Sequence, residues 1–228
     1  ETGQTVKGVT GVKLKNTKTG EESQVYYTDE NGSLTLPSEI TYGNYELTEV
    51  VPPNGYVLNT TPVSFGIDGN TPEVVIRLSD KPEKGKISVL KKGEMFSSVE
   101  VSEDRYVPVY SERGLKGAEF EVSAAEDIYT ADGTLRISKG ALADTLVTGE
   151  DGTAESKELY PGKYLLREIS APEGFAADTE VKELTVTAGI KKIEVKNERK
   201  KQEFKLKKEL ETDQKFGIGF NGEIFNIR

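Results

Sequence analysis

The 228-residue chain contains no cysteine, no histidine and no tryptophan, and a single methionine. Without His or Cys there is no Ser-His-Asp or Cys-His nucleophile, no imidazole or thiolate zinc site, no disulfide framework and no redox pair. Long apolar runs are missing as well. The longest are of the order of Val74-Val75-Ile76, far short of the ~20 residues of a membrane-spanning helix. No signal peptide or anchor is legible, so the expectation is a soluble chain or a piece of a longer one. No cofactor or metal is expected: Glu150-Asp151 and the Asp-Gly turns do not compose a calcium loop of the EF-hand type and read as solvated turns.

Basic charge is in deficit, 30 residues against 39 acids for a net −9. Nucleic acid is therefore not an expected partner, because phosphate neutralisation requires a basic face. Residues 200–228 are locally basic through Lys200, Lys201, Lys205, Lys207, Lys208, Lys215 and Arg228. A solvated strand or linker accounts for that run.

What the chain does contain is a repeat. Gly43-Asn44-Tyr45-Glu46-Leu47-Thr48-Glu49-Val50-Val51-Pro52-Pro53-Asn54-Gly55-Tyr56 returns as Gly162-Lys163-Tyr164-Leu165-Leu166-Arg167-Glu168-Ile169-Ser170-Ala171-Pro172-Glu173-Gly174-Phe175. Around this box Gly11-Val12-Lys13-Leu14 matches Gly117-Ala118-Glu119-Phe120, and Ile76 to Asp80 matches Ile193 to Asn197. Ala118-x-Phe120-x-Val122, Ile87-x-Val89 and Ile193-x-Val195 alternate with period 2, the pattern of half-buried strands. Asn31-Gly32, Asn54-Gly55, Asp132-Gly133 and Asp151-Gly152 supply turns between them. Many short strands with such turns imply an all-β sandwich or barrel. Pro82 and Gly85 mark a linker, which divides the chain into repeat one (1–80), repeat two (81–199, with an excursion at 92–115) and a tail (200–228) too short to bury its own core.

Strand parity turns three polar residues of repeat two inward: Lys91 in Ile87-x-Val89-x-Lys91, Glu168 in Tyr164-x-Leu166-x-Glu168, and Asn197 in Ile193-x-Val195-x-Asn197. Three such groups in one core are costly unless they satisfy one another. Parity alone also admits a Lys–Glu–Asn cluster that is only hydrogen-bonded, or strands that end one residue sooner and leave all three in water.

The Tyr-x-Leu-x-Glu-x-x-x-Pro-x-Gly-Tyr/Phe box, the first-strand lysine and the last-strand asparagine resemble the CnaB-type domains of Gram-positive surface proteins, including SpaA-type pilin domains. The resemblance covers residues 1–199 as two repeats, plus the start of a third. It implies tandem prealbumin-like (CnaB-type, Ig-like) β-sandwiches. It further implies that Lys91 and Asn197 condense into an intramolecular isopeptide bond promoted by Glu168. Burial favours the neutral amine that such an attack needs, and likewise the neutral form of a carboxyl group.

Repeat one departs from the pattern. Glu49 is its box glutamate and Asp80 stands where Asn197 stands, a change that replaces loss of ammonia by loss of water. Its lysine is missing, because Gly11 already aligns with the second strand and Lys7 lies too close to it. The tail shows the reverse, since Phe204-x-Leu206-x-Lys208 has the parity of a first strand. One reading has residues 202–209 of one molecule add to repeat one of another, bringing Lys208 to Asp80 and Glu49. The plainer one packs the tail on its own repeat two. The 92–115 excursion is expected to be an extra hairpin packed on the sandwich, or else an exposed binding loop.

The expected function is a stalk segment of a wall-anchored Gram-positive pilin or adhesin, outside the cell and not an enzyme beyond one self-crosslinking turnover. Its partners would be neighbouring repeats of the same parent protein. The alternative is a module that binds a host surface protein or glycan through 92–115 or an inter-domain groove. Leu36-Pro37-Ser38-Glu39 does not match a sortase signal, so sortase assembly is implied by the resemblance alone.

Overall fold

The structure, a computed structural model, describes residues 8–36, 40–70, 73–103 and 105–202, together with the strand backbones of 204–207 and 224–227. Every regular element among them is a strand, so the fold is all-β as predicted. Repeat one and the linker carry β1 (Gly11–Asn16), β2 (Tyr26–Tyr27), β3 (Gly43–Val51), β4 (Tyr56–Val57), β5 (Val63–Ile67) and β6 (Lys81–Pro82). Repeat two carries β7 (Gly85–Ser102), β8 (Arg105–Gly114), β9 (Glu119–Ala124), β10 (Ile128–Tyr129), β11 (Leu135–Ile137) and β12 (Leu142–Val147). It continues with β13 (Thr153–Glu155), β14 (Gly162–Ser170), β15 (Lys182–Val186) and β16 (Gly189–Asn197); the tail holds β17 (Phe204–Lys207) and β18 (Ile224–Ile227).

Repeat two has two sheets, ordered β12–β9–β14–β15 and β13–β7–β16, with β8 continuing on β7. Ile87, Val89 and Val195 from one sheet share a buried core with Phe120, Val122, Tyr164 and Leu166 from the other. Each large apolar side chain there contributes about 1.5–3 kcal/mol. The first and last strands, β7 and β16, are adjacent and parallel, with Val195 opposite Lys91 and Asn197 opposite Gly93. Two tight approaches require glycine: a Cβ on Gly85 would lie 1.9 Å from the Thr187 carbonyl oxygen, and one on Gly114 2.0 Å from that of Asp151. Gly114→Ala is accordingly expected to cost about 3 kcal/mol by forcing the 149–152 turn away, read as a lowered unfolding midpoint.

The excursion is a hairpin, as expected, but most of it stands off the sandwich. Burial alternates along β7 from Gly85 to Gly93 and every residue from Glu94 to Ser102 is exposed. Only its base is tied down. Arg199 pairs with Glu94 at 3.0 Å and lies over the Tyr110 ring at 3.4 Å, while Lys196 bonds Glu112 at 2.8 Å. Among the described residues no second layer covers the outer part, which therefore does not pack on the sandwich as predicted.

Repeat one contains one four-stranded sheet, β2–β1–β3–β5, and its β4 pairs with β6 of the linker. The match of Gly11-Val12 to Gly117-Ala118 made from sequence is two residues out. Val12 pairs with Glu49 and Phe120 with Glu168, so Val12 corresponds to Phe120. The slip is even, so it leaves the inward parity untouched. Residues 33–36 and 73–80, the counterparts of β13 and β16, keep period-two burial, with Leu34, Leu36, Ile76, Leu78 and Asp80 half-buried, yet they form no strands. In repeat two both β13 and β16 pair with β7, the middle strand of their sheet. Among the described residues nothing fills that middle place in repeat one, and its two neighbours are left without a ladder.

Neither described strand of the tail fills that place. β17 pairs with β18 in antiparallel register, Phe204 opposite Ile227. The strand predicted over 202–209 is thus present in part, with a partner from the tail itself. Lys7 and Lys208 lie outside the described residues.

Candidate functional site

Lys91, Glu168 and Asn197 meet in the core of repeat two. The Lys91 side chain is 0% exposed and that of Glu168 1%, and Asn197 is buried. Lys91 and Asn197 project from one sheet and Glu168 faces them from the other. The parallel register of β7 and β16 places Asn197 two positions beyond the residue opposite Lys91. On a pleated strand that is the same face, about 7 Å further on, and the lysine stem spans the gap.

The glutamate bridges the other two groups. Lys91 Nζ donates to Glu168 Oε2 at 2.9 Å, Asn197 Nδ2 donates to Glu168 Oε1 at 2.8 Å, and Lys91 Nζ also donates to Asn197 Oδ1. The Asp178 backbone N–H adds a bond to Glu168 Oε2 at 2.7 Å. Lys91 Nζ lies 5.4 Å from the centroid of the Phe120 ring. Burial pulls the lysine pKa down, and the contact with Glu168 offsets part of that. This arrangement puts an amine with lowered proton affinity beside a carboxamide, and gives both nitrogens to one carboxyl group.

Repeat one presents the same carboxyl, with no lysine beside it among the described residues. Glu49 is 1% exposed, and its Oε2 accepts the Asn59 backbone N–H at 2.7 Å. Glu49 Oε1 and Asp80 Oδ1 are buried with no hydrogen-bond partner among the described residues. Burial raises the pKa of both, and the charge of Asp80 raises that of Glu49 further. A raised carboxyl means that the folded state binds more protons than the unfolded one. The stability these groups contribute is therefore full below their ordinary values and is lost as pH rises through the folded ones. Thermal unfolding of repeat one is expected to move upward on mild acidification from neutral pH. Glu49→Gln should flatten that dependence and add about 1–3 kcal/mol at neutral pH.

Sequence parity did not single out Asn59 and Asp178, whose backbone N–H groups orient the box glutamates. The signal is a spacing, since each lies ten residues after its glutamate. Among the described residues no group of three or more Asp and Glu side chains could hold a metal ion.

Comparisons with known proteins agree with the fold. The SpaA family, described as a prealbumin-like fold domain, matches residues 1–82 and 109–201. The Trypsin-resistant surface T6 protein of Streptococcus pyogenes serotype M6 is 26% identical over 210 residues, covering 87% of this chain and 38% of that protein. This chain thus spans well under half the length of that relative. Of the solved structures, the TIE protein of Bacillus anthracis matches with a TM-score of 0.50 at 24% identity, over 84% of this chain and 30% of the other. The minor pilin GBS52 of Streptococcus agalactiae is 18% identical over 87% of this chain and 86% of its own, with a TM-score of 0.35. The family match spans most of the chain, on both sides of residues 83–108, and the chain belongs to the SpaA prealbumin-like fold domain family.

Proposed function

We propose that the chain is a load-bearing stalk segment of a Gram-positive surface protein of the pilin or adhesin kind, built from tandem sandwiches over 1–80 and 81–199, and locked in repeat two by a Lys91–Asn197 isopeptide bond. The observation that carries this is a single buried carboxyl group hydrogen-bonded to both nitrogens that would exchange. The neutral Lys91 amine attacks Asn197 Cγ, a C–N bond forms, and the Cγ–Nδ2 bond breaks. Glu168 takes the amine proton at Oε2 and delivers a proton from Oε1 to the departing Nδ2, which leaves as ammonia. The fold holds the reactants in contact, which supplies much of the rate. One turnover consumes the site, so the chain acts on itself and on no separate substrate.

The bond would join the first strand of repeat two to its last. Tension entering at Gly85 and leaving beyond Asn197 would cross it and bypass the intervening residues 92–196, Lys91 and Asn197 being 106 positions apart. Such a segment belongs outside the cell, in a wall-anchored parent protein, with neighbouring repeats and other subunits as partners. Pulling the chain from its ends is expected to release no length from residues 92–196. In Glu168→Gln the same stretch should release about 350–380 Å on full extension. Equal extension of both proteins would sink the proposal.

A second reading has its own observation. The outer hairpin exposes Val99, Val101 and Tyr106, the last 79% exposed, along a ribbon that a host surface protein or glycan could line. Trimming residues 96–110 to a short turn would abolish such binding and leave extension under load unchanged.

A further inference from the structure

We infer that the outer part of the β7–β8 hairpin is a self-association surface, and that two copies of this chain pack these ribbons face to face. The feature that makes the surface is a bulge. Ile87, Val89, Lys91 and Gly93 of β7 face the core, so Glu94 and Phe96 face outward. Strict alternation beyond Phe96 would set Ser98 and Glu100 beside it and turn Val99 and Val101 to the other face. The register shift between Phe96 and Ser98 inserts one residue and reverses this. Opposed residues of an antiparallel pair share a face. Phe96 with Tyr110, Val99 with Pro108 and Val101 with Tyr106 thus form three successive rows on the outward side. The rings of the first row meet edge to face, with centroids 6.1 Å apart. Glu100 and Arg105 fall on the opposite side.

The occupant follows from the composition of this face and from its area. All six side chains are exposed, and none is charged. Their only polar atoms are two tyrosine hydroxyls, too few to fix a glycan by hydrogen bonds. A charged protein surface would lose its hydration there and gain no partner in return. An uncharged face is matched by another of its kind, and a second copy provides one. Six such side chains offer roughly 500–600 Å² per copy, the upper end of the apolar patches that monomers carry. Two faces together would bury about 1,000–1,200 Å², enough for a transient pair and short of a permanent dimer. A two-fold axis through the Val99–Pro108 row sets the aromatic row of each copy on the Val101–Tyr106 row of the other. The charges at the ends agree with this direction. Glu103 at the tip of one ribbon comes to the base of the other, where Arg199 and the exposed Lys200 lie beside Glu94. In stalk segments held close together on a surface, pairing of this strength would bundle neighbours side by side.

Sedimentation of the whole chain between about 1 and about 500 μM tests the pairing, with monomer expected at the lower end, dimer at the upper and no larger species. Val101→Lys should raise the dimer dissociation constant at least about tenfold, because each dimer would bury two unpaired charges. A second measurement identifies the face. The chain lacks cysteine, so Val99→Cys and Ser98→Cys each place a single thiol at an exposed position, on opposite sides of the ribbon. A bis-maleimide about 10 Å long, the spacing of packed sheets, should join Val99→Cys into a covalent dimer and leave Ser98→Cys monomeric. A wild-type chain that stays monomeric throughout overturns the inference and leaves the ribbon to a host partner. Equal crosslinking at positions 98 and 99 overturns it too, since ribbons joined edge to edge would give that result. So does an unaltered Val101→Lys dimer, which would place the contact elsewhere on the chain. None of this depends on the Lys91–Asn197 bond. Glu168→Gln should associate as the wild type does, so failure of the crosslink and failure of the pairing are told apart.

Discussion

Denatured and weighed intact, the chain is expected to be lighter than its sequence mass by one ammonia. Lys91→Ala and Glu168→Gln should each restore the full mass. The two variants test different links. Lys91→Ala removes the nucleophile itself. Glu168→Gln keeps a side chain of the same shape between Lys91 and Asn197, but its amide cannot take a proton from Nζ and return one to Nδ2. A full-mass wild-type chain would refute the crosslink outright. A light Glu168→Gln variant would leave the bond in place and remove the role of the glutamate.

The second expected result is thermal. A crosslink closing ~100 residues restricts the unfolded chain, and by analogy with disulfides this is worth about 4–5 kcal/mol. For a unit the size of repeat two that amounts to about 15–20 °C in the unfolding midpoint. Glu168→Gln is the proper comparison, because it retains a hydrogen-bonded group at the site. Lys91→Ala would confound the measurement by leaving a buried carboxyl without its partner, a further cost of about 3–5 kcal/mol. A shift of only a few degrees in Glu168→Gln would show that the uncrosslinked cluster stabilises the fold nearly as well, the hydrogen-bonded alternative that parity left open.

Calorimetry of the wild-type chain adds a contrast between the repeats. Repeat two has a contiguous buried core drawn from two sheets. Among the described residues repeat one has one four-stranded sheet, a short β4–β6 pair and two carboxyl oxygens without hydrogen-bond partners. Repeat one should therefore melt first, and its transition should respond to acid.

Much of the site was legible in sequence because side-chain direction along a strand is a local property. Period two requires no knowledge of the neighbouring strand, so Lys91, Glu168 and Asn197 could be placed inward from their own segments alone. The repeated box likewise located Glu49, and the aligned last segment located Asp80. The matching of Gly11 to Gly117 failed by two residues for the complementary reason. Short glycine-led segments look alike at either register, and only pairing with the box glutamate decides between them.

By itself, then, the sequence determined an all-β chain of repeated sandwiches without disulfides or thiolate and imidazole ligands, and the inward direction of each polar group. The tertiary structure decided what those groups meet. That Lys91 and Asn197 lie on parallel neighbours, and that Glu168 reaches both from the opposite sheet, depends on ladder partners far apart in the chain. The same holds for residues 73–80. Their alternation predicts a strand, but a strand exists only when another lies beside it to take its hydrogen bonds, and in repeat one the place of that neighbour is unfilled among the described residues.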